Sequence, residues 1–208
     1  MTDLIRPRPF KYSNKMRHGK LIIISGPSGV GKGTIIAALL KENLKVDFQL
    51  CLSVSATTRS KRPNEVDGQD YYFLTEQQFD EKIQSNAFFE WCHVHHHRYG
   101  TLRKPVETQL ARGINVLLEI DVQGAKKIMT YCKRHNKSYT SIMVIPPTLQ
   151  TIRDRLHSRK TESKDRIEKR VKIAKEELNQ KNQYDHIVIN DQLEEAIKGI
   201  QQIILNLK

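Results

Sequence analysis

Gly26-Pro27-Ser28-Gly29-Val30-Gly31-Lys32-Gly33-Thr34 is the run in this chain best suited to hold phosphate. Glycines let successive backbone N–H groups converge on phosphate oxygens without side-chain obstruction. A helix opening at the lysine would add the partial positive charge of its N-terminus. Lys32 would reach the β- and γ-phosphates of a nucleotide. The residue after the lysine is usually Ser or Thr, whose hydroxyl helps hold Mg²⁺. Here it is Gly33, with Thr34 next. A metal at this loop would therefore rest mainly on nucleotide phosphates and water.

A second candidate lies at Ser53-Val54-Ser55-Ala56-Thr57-Thr58-Arg59-Ser60-Lys61-Arg62-Pro63, followed by Tyr71-Tyr72. Arg59 and Arg62 stand three apart among hydroxyls, and arginine makes planar, two-pronged contacts to phosphate. Tyrosine hydroxyls can complete such a shell. Taken alone, the same run also reads as a solvated basic loop. A third cluster, Cys92-His93-Val94-His95-His96-His97, carries good Zn²⁺ ligand types. Consecutive residues of an extended segment point to opposite faces, so the spacing argues against a dedicated site and for adventitious zinc or nickel.

The elements around these residues alternate strand and helix from Lys20 onward, the pattern of a parallel α/β sheet. Leu21 to Ser25 reads as a buried parallel strand leading into the loop. A helix is expected from about Lys32 to Glu42, then strands at Leu50–Ser55 and Tyr71–Leu74. Thr75 and Gln78 form a capping box for a helix through about Ser85. Pro105 suits a helix first turn and Gly113 a helix end. Ile114–Ile120 and Thr140–Ile145 read as strands, with a helix to about His135 between them. Thr148 could cap the helix after Pro146-Pro147, and a very basic helical stretch spans about Arg153 to Lys175. A strand at His186–Ile189 and an amphipathic helix from about Leu193 close the chain. Residues 1–18 show no periodicity and read as a mobile tail, and Met16 before the first strand leaves the start site open.

The motifs Gly-Pro-Ser-Gly-x-Gly-Lys, Ser-x-Thr-Thr-Arg-x-x-Arg-Pro, Glu-x-x-Gly-x-x-Tyr-x-Phe, Phe-x-Glu-Trp, Tyr-Gly-Thr and Glu-Ile-Asp-x-Gln-Gly-Ala occur here in one order. In that order and spacing the chain resembles guanylate kinase over about Gly19 to Leu207. The resemblance implies an α/β P-loop three-layer fold with a parallel core sheet. It adds a small GMP-binding subdomain with mixed and antiparallel strands, and a helical lid. The core would comprise about 19–52, 103–147 and 183–208, the GMP subdomain 53–102 and the lid 148–182. The implied reaction passes the γ-phosphoryl group of ATP to GMP, giving ADP and GDP in purine nucleotide metabolism. Arg59, Arg62, Tyr71 and Tyr99 would bind the GMP phosphate. Glu90 would accept from guanine N1–H and the 2-amino group, Ser55 and Thr101 would donate to O6, and Asp121 would help on the 2-amino side. Lys32, Arg155, Arg159 and Arg170 would stabilise the transferring phosphoryl group. No direct protein ligand to Mg²⁺ is expected beyond a role for Glu119, where the family often has Asp. Ser158 replaces a usual glycine of the lid, and His96-His97-Arg98 replaces Gly-Asn-Tyr before Tyr99.

Bulk properties exclude several classes. Across 208 residues, 38% are hydrophobic and 28% charged, enough for a packed core. No apolar run is long enough to span a bilayer, and no secretory signal is evident near the start. Three scattered cysteines argue for a reducing cytoplasm rather than a disulfide framework. The net charge of +12 fits nucleic acid, small polyphosphates or a merely basic, solubilising surface. No aromatic RNA-reading motif is visible. The resemblance implies small-molecule GMP and ATP as partners, with no nucleic acid and no membrane expected. A scaffold-type binding module of the same family would typically lack an intact phosphate loop. The chain is expected to act as a monomer or homodimer.

Overall fold

A computed structural model describes residues 18–41, 49–94, 96–158 and 163–207. The tail at 1–17, His95 and Arg159 lie outside the described residues. In chain order the elements are β1 (Leu21–Ser25), α1 (Lys32–Lys41), β2 (Leu50–Leu52), β3 (Ser55–Thr57), β4 (Tyr72–Phe73), α2 (Glu76–Gln84), β5 (Phe88–Val94) and β6 (His97–Leu102). They continue as α3 (Arg103–Ala111), β7 (Asn115–Glu119), α4 (Val122–Arg134), β8 (Tyr139–Ile145), α5 (Leu149–Ser158), α6 (Lys164–Leu178), β9 (His186–Ile189) and α7 (Leu193–Leu205).

Five strands form one sheet in the order β2-β7-β1-β8-β9, every pairing parallel. β1 lies at its centre and is buried throughout, which explains its unbroken Leu-Ile-Ile-Ile run. Its side chains alternate between two apolar layers. Leu21 and Ile23 join Val106 and Leu110 of α3 and Val122, Ala125, Ile128 and Met129 of α4. Ile22 and Ile24 join Ile35, Ile36 and Leu39 of α1 and Ile197, Ile200 and Ile204 of α7. The result is a three-layer α/β arrangement with helices on both faces, as the sequence predicts. Burying each such side chain contributes ~1.5–3 kcal/mol, so the sheet is a rigid base for whatever its strand ends carry.

A second, four-stranded sheet has the order β4-β3-β6-β5. β3 pairs parallel with β4 and antiparallel with β6, and β5 pairs antiparallel with β6. Its own core is Ala56, Phe79, Phe88 and Leu102, with Phe79 and Phe88 stacked at 4.5 Å. The Thr75–Gln78 capping box forms as predicted and fixes the start of α2. The expected single strand at 50–55 instead divides between the two sheets, as β2 and β3. Periodicity gave no separate strands for β5 and β6, because β5 mixes aromatics, a carboxylate and a histidine without alternation.

The basic stretch at 153–175 is two helices rather than one. α5 and α6 pack through Ile152, Leu156, Ile167, Val171 and Ala174. Arg153 clamps them with two bonds to Glu168, at 2.6 and 2.9 Å. Thr148 Oγ1 accepts from Thr151 N–H at 3.2 Å, the expected cap of α5.

Candidate active site

The phosphate loop bridges β1 and α1. Gly26 has φ +146° and a side chain there would meet Val144 O at 2.1 Å; Gly31 has φ +98° and would meet Asn190 Nδ2 at 2.6 Å. Only glycine fits either position. Lys32 Nζ donates to Gly26 O at 2.5 Å and Pro27 O at 3.3 Å, so the ammonium folds over its own loop. Burial pushes its pKa below the usual lysine value, while Glu119, Glu177 and Asp121 oppose that shift.

Glu119 ends β7 beside this loop. A side chain on Gly33 would point at Glu119 Oε1, 3.6 Å from the Cβ position. A carboxylate therefore occupies the side where a loop hydroxyl would otherwise stand. Its pKa is raised by burial and drawn back by Lys32, although solvent reaches the residue, as befits a group in a cleft mouth. Such an oxygen donor suits Mg²⁺. Among the described residues, no group of three His, Cys, Asp or Glu side chains is placed to hold a metal ion by itself.

Across the cleft, β5 and β6 build a pocket. Glu90 and Thr101 face each other in register, and Thr101 Oγ1 donates to Glu90 Oε1 at 2.8 Å. Both are buried. Burial raises the Glu90 pKa, the Thr101 hydroxyl lowers it and Asp121 raises it again. Asp121 caps α4 by accepting from Gly124 N–H at 2.7 Å. A Cβ on Gly124 would lie 3.2 Å from Asp121 Oδ1 and 3.3 Å from Glu90 Oε2, so either carboxylate would have to shift by a few tenths of an ångström to admit one. The Thr101 hydroxyl, expected to donate to a base, is here engaged with Glu90. Ser55 lies beside this pocket, paired in register with Thr101.

Tyr71 and Tyr99 meet edge to face at 5.9 Å, and the Arg59 guanidinium lies 5.5 Å from the Tyr71 ring centre. Arg59 bonds Ser60 O at 2.8 Å and pairs with Glu65 at 2.6 Å. Glu65 also accepts from Arg62 N–H at 2.9 Å, so it organises the whole arginine turn. The Arg62 side chain is exposed. Arg98, in the departure before Tyr99, is buried and bonded to Asp80, Glu76 and Glu76 O. It locks β6 to α2 rather than entering the cleft.

The arginines of α5 and α6 divide. Arg170 donates to Ser28 Oγ, at the tip of the phosphate loop. Arg155 instead braces that loop, donating to Val30 O at 3.0 Å and Asn190 O at 2.9 Å. Asn190, buried, adds its own bond to Val30 O at 2.7 Å. Ser158 Oγ donates to Arg155 O at 2.9 Å, closing the last turn of α5. Glu65, Asn190 and Glu177 are site-adjacent residues that motif reading passed over. Of these, Glu65 lay inside a matched motif and could have been found there.

A phosphate loop at the end of a central parallel strand, a second small sheet carrying a buried Glu–Thr pair and an arginine–tyrosine cluster, and an arginine-bearing helix pair fit a P-loop kinase of nucleoside monophosphates. The family model for guanylate kinase matches residues 18–207, and the chain belongs to that family. It is 44% identical over 189 residues to the guanylate kinase of Caldanaerobacter subterraneus subsp. tengcongensis, spanning 91% of this chain and 88% of that one. The guanylate kinase of Malacoplasma penetrans is 41% identical over 91% of this chain and 94% of its own length. The crystal structure of guanylate kinase from Anaplasma phagocytophilum superposes with a TM-score of 0.69 at 29% identity, covering 92% of this chain and 88% of that chain.

Proposed function

We propose that this cleft passes the γ-phosphoryl group of ATP to GMP, giving ADP and GDP. One observation carries the reading. An intact glycine loop with Lys32 at its root, and a separate arginine–tyrosine cluster in which Arg59 lies 5.5 Å from the Tyr71 ring centre, give the chain two places suited to phosphate. Two phosphorylated ligands held there would meet end to end.

The roles follow from the chemistry of each group. The backbone of Gly26, Pro27, Ser28, Gly29, Val30, Gly31, Gly33 and Thr34 cradles the ATP phosphates. Lys32 leaves its carbonyl partners for the β- and γ-phosphates. Arg59, Arg62, Tyr71 and Tyr99 hold the GMP phosphate. Glu90 accepts from guanine N1–H and the 2-amino group, with Asp121 beside it and Ser55 near O6. Thr101 orients the Glu90 carboxylate. Arg170, beside Ser28, offsets charge on the phosphoryl group in flight, and Arg155 keeps the loop in shape. A GMP phosphate oxygen forms the new bond to the γ-phosphorus as the bridging oxygen leaves with ADP. Catalysis is positioning and charge stabilisation, with no covalent enzyme intermediate. Glu119 would hold Mg²⁺, through water and together with phosphate oxygens; when bound, the ion neutralises the β- and γ-phosphates.

The same proposal divides the chain into a core, a GMP-binding part at about 53–102 and a lid at about 148–182. Each part contains its own apolar cluster. The free thiols Cys51, Cys92 and Cys132 suit a reducing cytoplasm. Among the described residues, no helix is long and apolar enough to cross a membrane. A coupled assay with a panel of monophosphates, ATP and Mg²⁺ tests the activity. Turnover of AMP or UMP but not GMP would overturn it.

A further inference from the structure

β5 does not keep a regular register against β6. Phe88 pairs with Leu102 and Glu90 with Thr101, so two steps along β5 match one step along β6. Phe89 is the extra residue, a β-bulge. In a regular strand side chains alternate between the two faces, so residues two apart share a face. Phe88 and Glu90 do not. Phe88 belongs to the small sheet's own core, while Glu90 bonds Thr101 and lies beside Gly124. Phe88 and Trp91, three apart, both meet the Phe79 ring, with centres 4.5 and 6.3 Å away. Phe89 turns instead into the core of the large sheet. Without the bulge the register would slip by one residue and carry Glu90 to the Phe79 side, where its carboxylate would enter an apolar cluster.

Two cations from helices of the large sheet hold this bulge. Arg103, the first residue of α3, donates from Nε to Phe88 O at 2.6 Å and from its backbone N–H to Ala87 O at 2.9 Å. Its guanidinium lies 5.8 Å from the Phe89 ring centre and 4.5 Å from that of Tyr131, and these two rings meet edge to face at 5.2 Å. Lys127 of α4 donates from Nζ to Trp91 O at 2.8 Å. The carbonyls flanking Phe89 and Glu90 are thus claimed from α3 on one side and α4 on the other. Arg103 also stands in the first turn of its helix, where the dipole disfavours a cation and no acidic residue offsets it. The helix gains nothing from a cation there, whereas the bulge does.

We propose that Arg103 and Lys127 are positioning residues for base selection: they pin the bulge at Phe89 and so keep the Glu90 carboxylate aimed into the base pocket. The inference rests on the reading of Glu90 given above and deepens it. Each cation acts through a carbonyl of β5. A bulge interrupts the ladder locally, and charge-assisted bonds to its carbonyls are stronger than neutral ones. Both donors come from helices packed on the large sheet, so the aim of Glu90 is set by the core as well as by its partner Thr101.

The test is steady-state kinetics of the full chain with GMP and AMP at saturating ATP, for Arg103→Met, Lys127→Met and each of them combined with Glu90→Gln. Arg103→Met is expected to lower the GMP-to-AMP ratio of kcat/KM by roughly 10–100-fold, mainly through KM for GMP, because a misplacement of ~1 Å can cost about 10²-fold. Its ATP Kd, measured by calorimetry, is expected to be unchanged. Lys127→Met, at an exposed residue, should shift the ratio the same way by a smaller factor. In the Glu90→Gln background neither change should lower the ratio further, since the carboxylate they aim is gone. A loss that falls equally on GMP and AMP, or one that persists undiminished without the Glu90 carboxylate, would overturn the proposal. Should Arg103→Met fold poorly, Lys127→Met decides by the same ratio. Unchanged ratios in these variants, when Glu90→Gln alone loses the preference for GMP, sink only this inference. A Glu90→Gln protein that keeps the preference sinks the reading of Glu90 and this inference with it.

Discussion

Replacing Glu90 by Gln perturbs base recognition with little change of shape. Glu90 Oε1 already accepts from Thr101 Oγ1 at 2.8 Å, and Oε2 points toward Asp121 and Gly124. A glutamine that keeps the Thr101 bond must place its amide nitrogen where Oε2 stood. That nitrogen is a donor, and guanine offers only donors at N1–H and the 2-amino group. Both contacts from the base also lose the charge of the acceptor. Hydrogen bonds to charged groups are worth ~1.5–3 kcal/mol each, so the two together should cost about 3–6 kcal/mol. That corresponds to a fall of roughly 10²–10⁴-fold in kcat/KM for GMP. AMP, which presents an acceptor at N1, should change little, so selectivity collapses from the GMP side. IMP keeps N1–H and lacks the 2-amino group, so the loss with IMP should be the smaller of the two. Burial already penalises the Glu90 charge, so the neutral variant should melt no lower than the wild type. The assay is steady-state kinetics with GMP, IMP and AMP at saturating ATP, with melting as a control. A GMP-to-AMP ratio of kcat/KM unchanged within a factor of about three would refute the reasoning, since it would mean Glu90 does not read the base.

Other outcomes follow from the same geometry. Gly124→Ala should push Glu90 and Asp121 apart and raise KM for GMP about tenfold, with ATP affinity unchanged by calorimetry. Arg59→Lys should lose the two-pronged guanidinium and weaken GMP binding by about 1.5–3 kcal/mol, read from equilibrium titration, while AMP discrimination stays intact. Glu177 has a folded pKa raised above its unfolded value, so the folded state binds the proton more tightly. Its contribution to stability is largest below about pH 4.5 and is lost as pH rises through about 7. Thermal melting from pH 5 to 8 should therefore show Glu177→Gln gaining on the wild type as pH rises; a constant difference would contradict the assignment.

The sequence by itself determined the features that local chemistry controls. The phosphate loop, its strand and helix, and the capping box of α2 follow from glycine freedom, apolar runs and a Thr-x-x-Gln spacing within a few residues of one another. The family motifs named Glu90, Arg59 and Tyr99 before any geometry was known. Other features depended on packing between distant segments. β5 and β6 exist because each pairs with a strand far away or across a turn, and a run such as Phe-Phe-Glu-Trp-Cys-His carries no period of its own. The resemblance gave Arg155 a charge-stabilising role on the phosphoryl group; in the fold its guanidinium is held by carbonyls of Val30 and Asn190, 125 and 35 residues away. Arg98 looked like an intrusion beside the site and proved to be a strut, because Asp80 and Glu76 face it from α2. Glu177 gave no sequence signal at all, sitting in a basic helix like any solvated glutamate. Only the fold half-buried it and removed enough water for its charge to matter, since desolvation is a property of neighbours in space rather than along the chain.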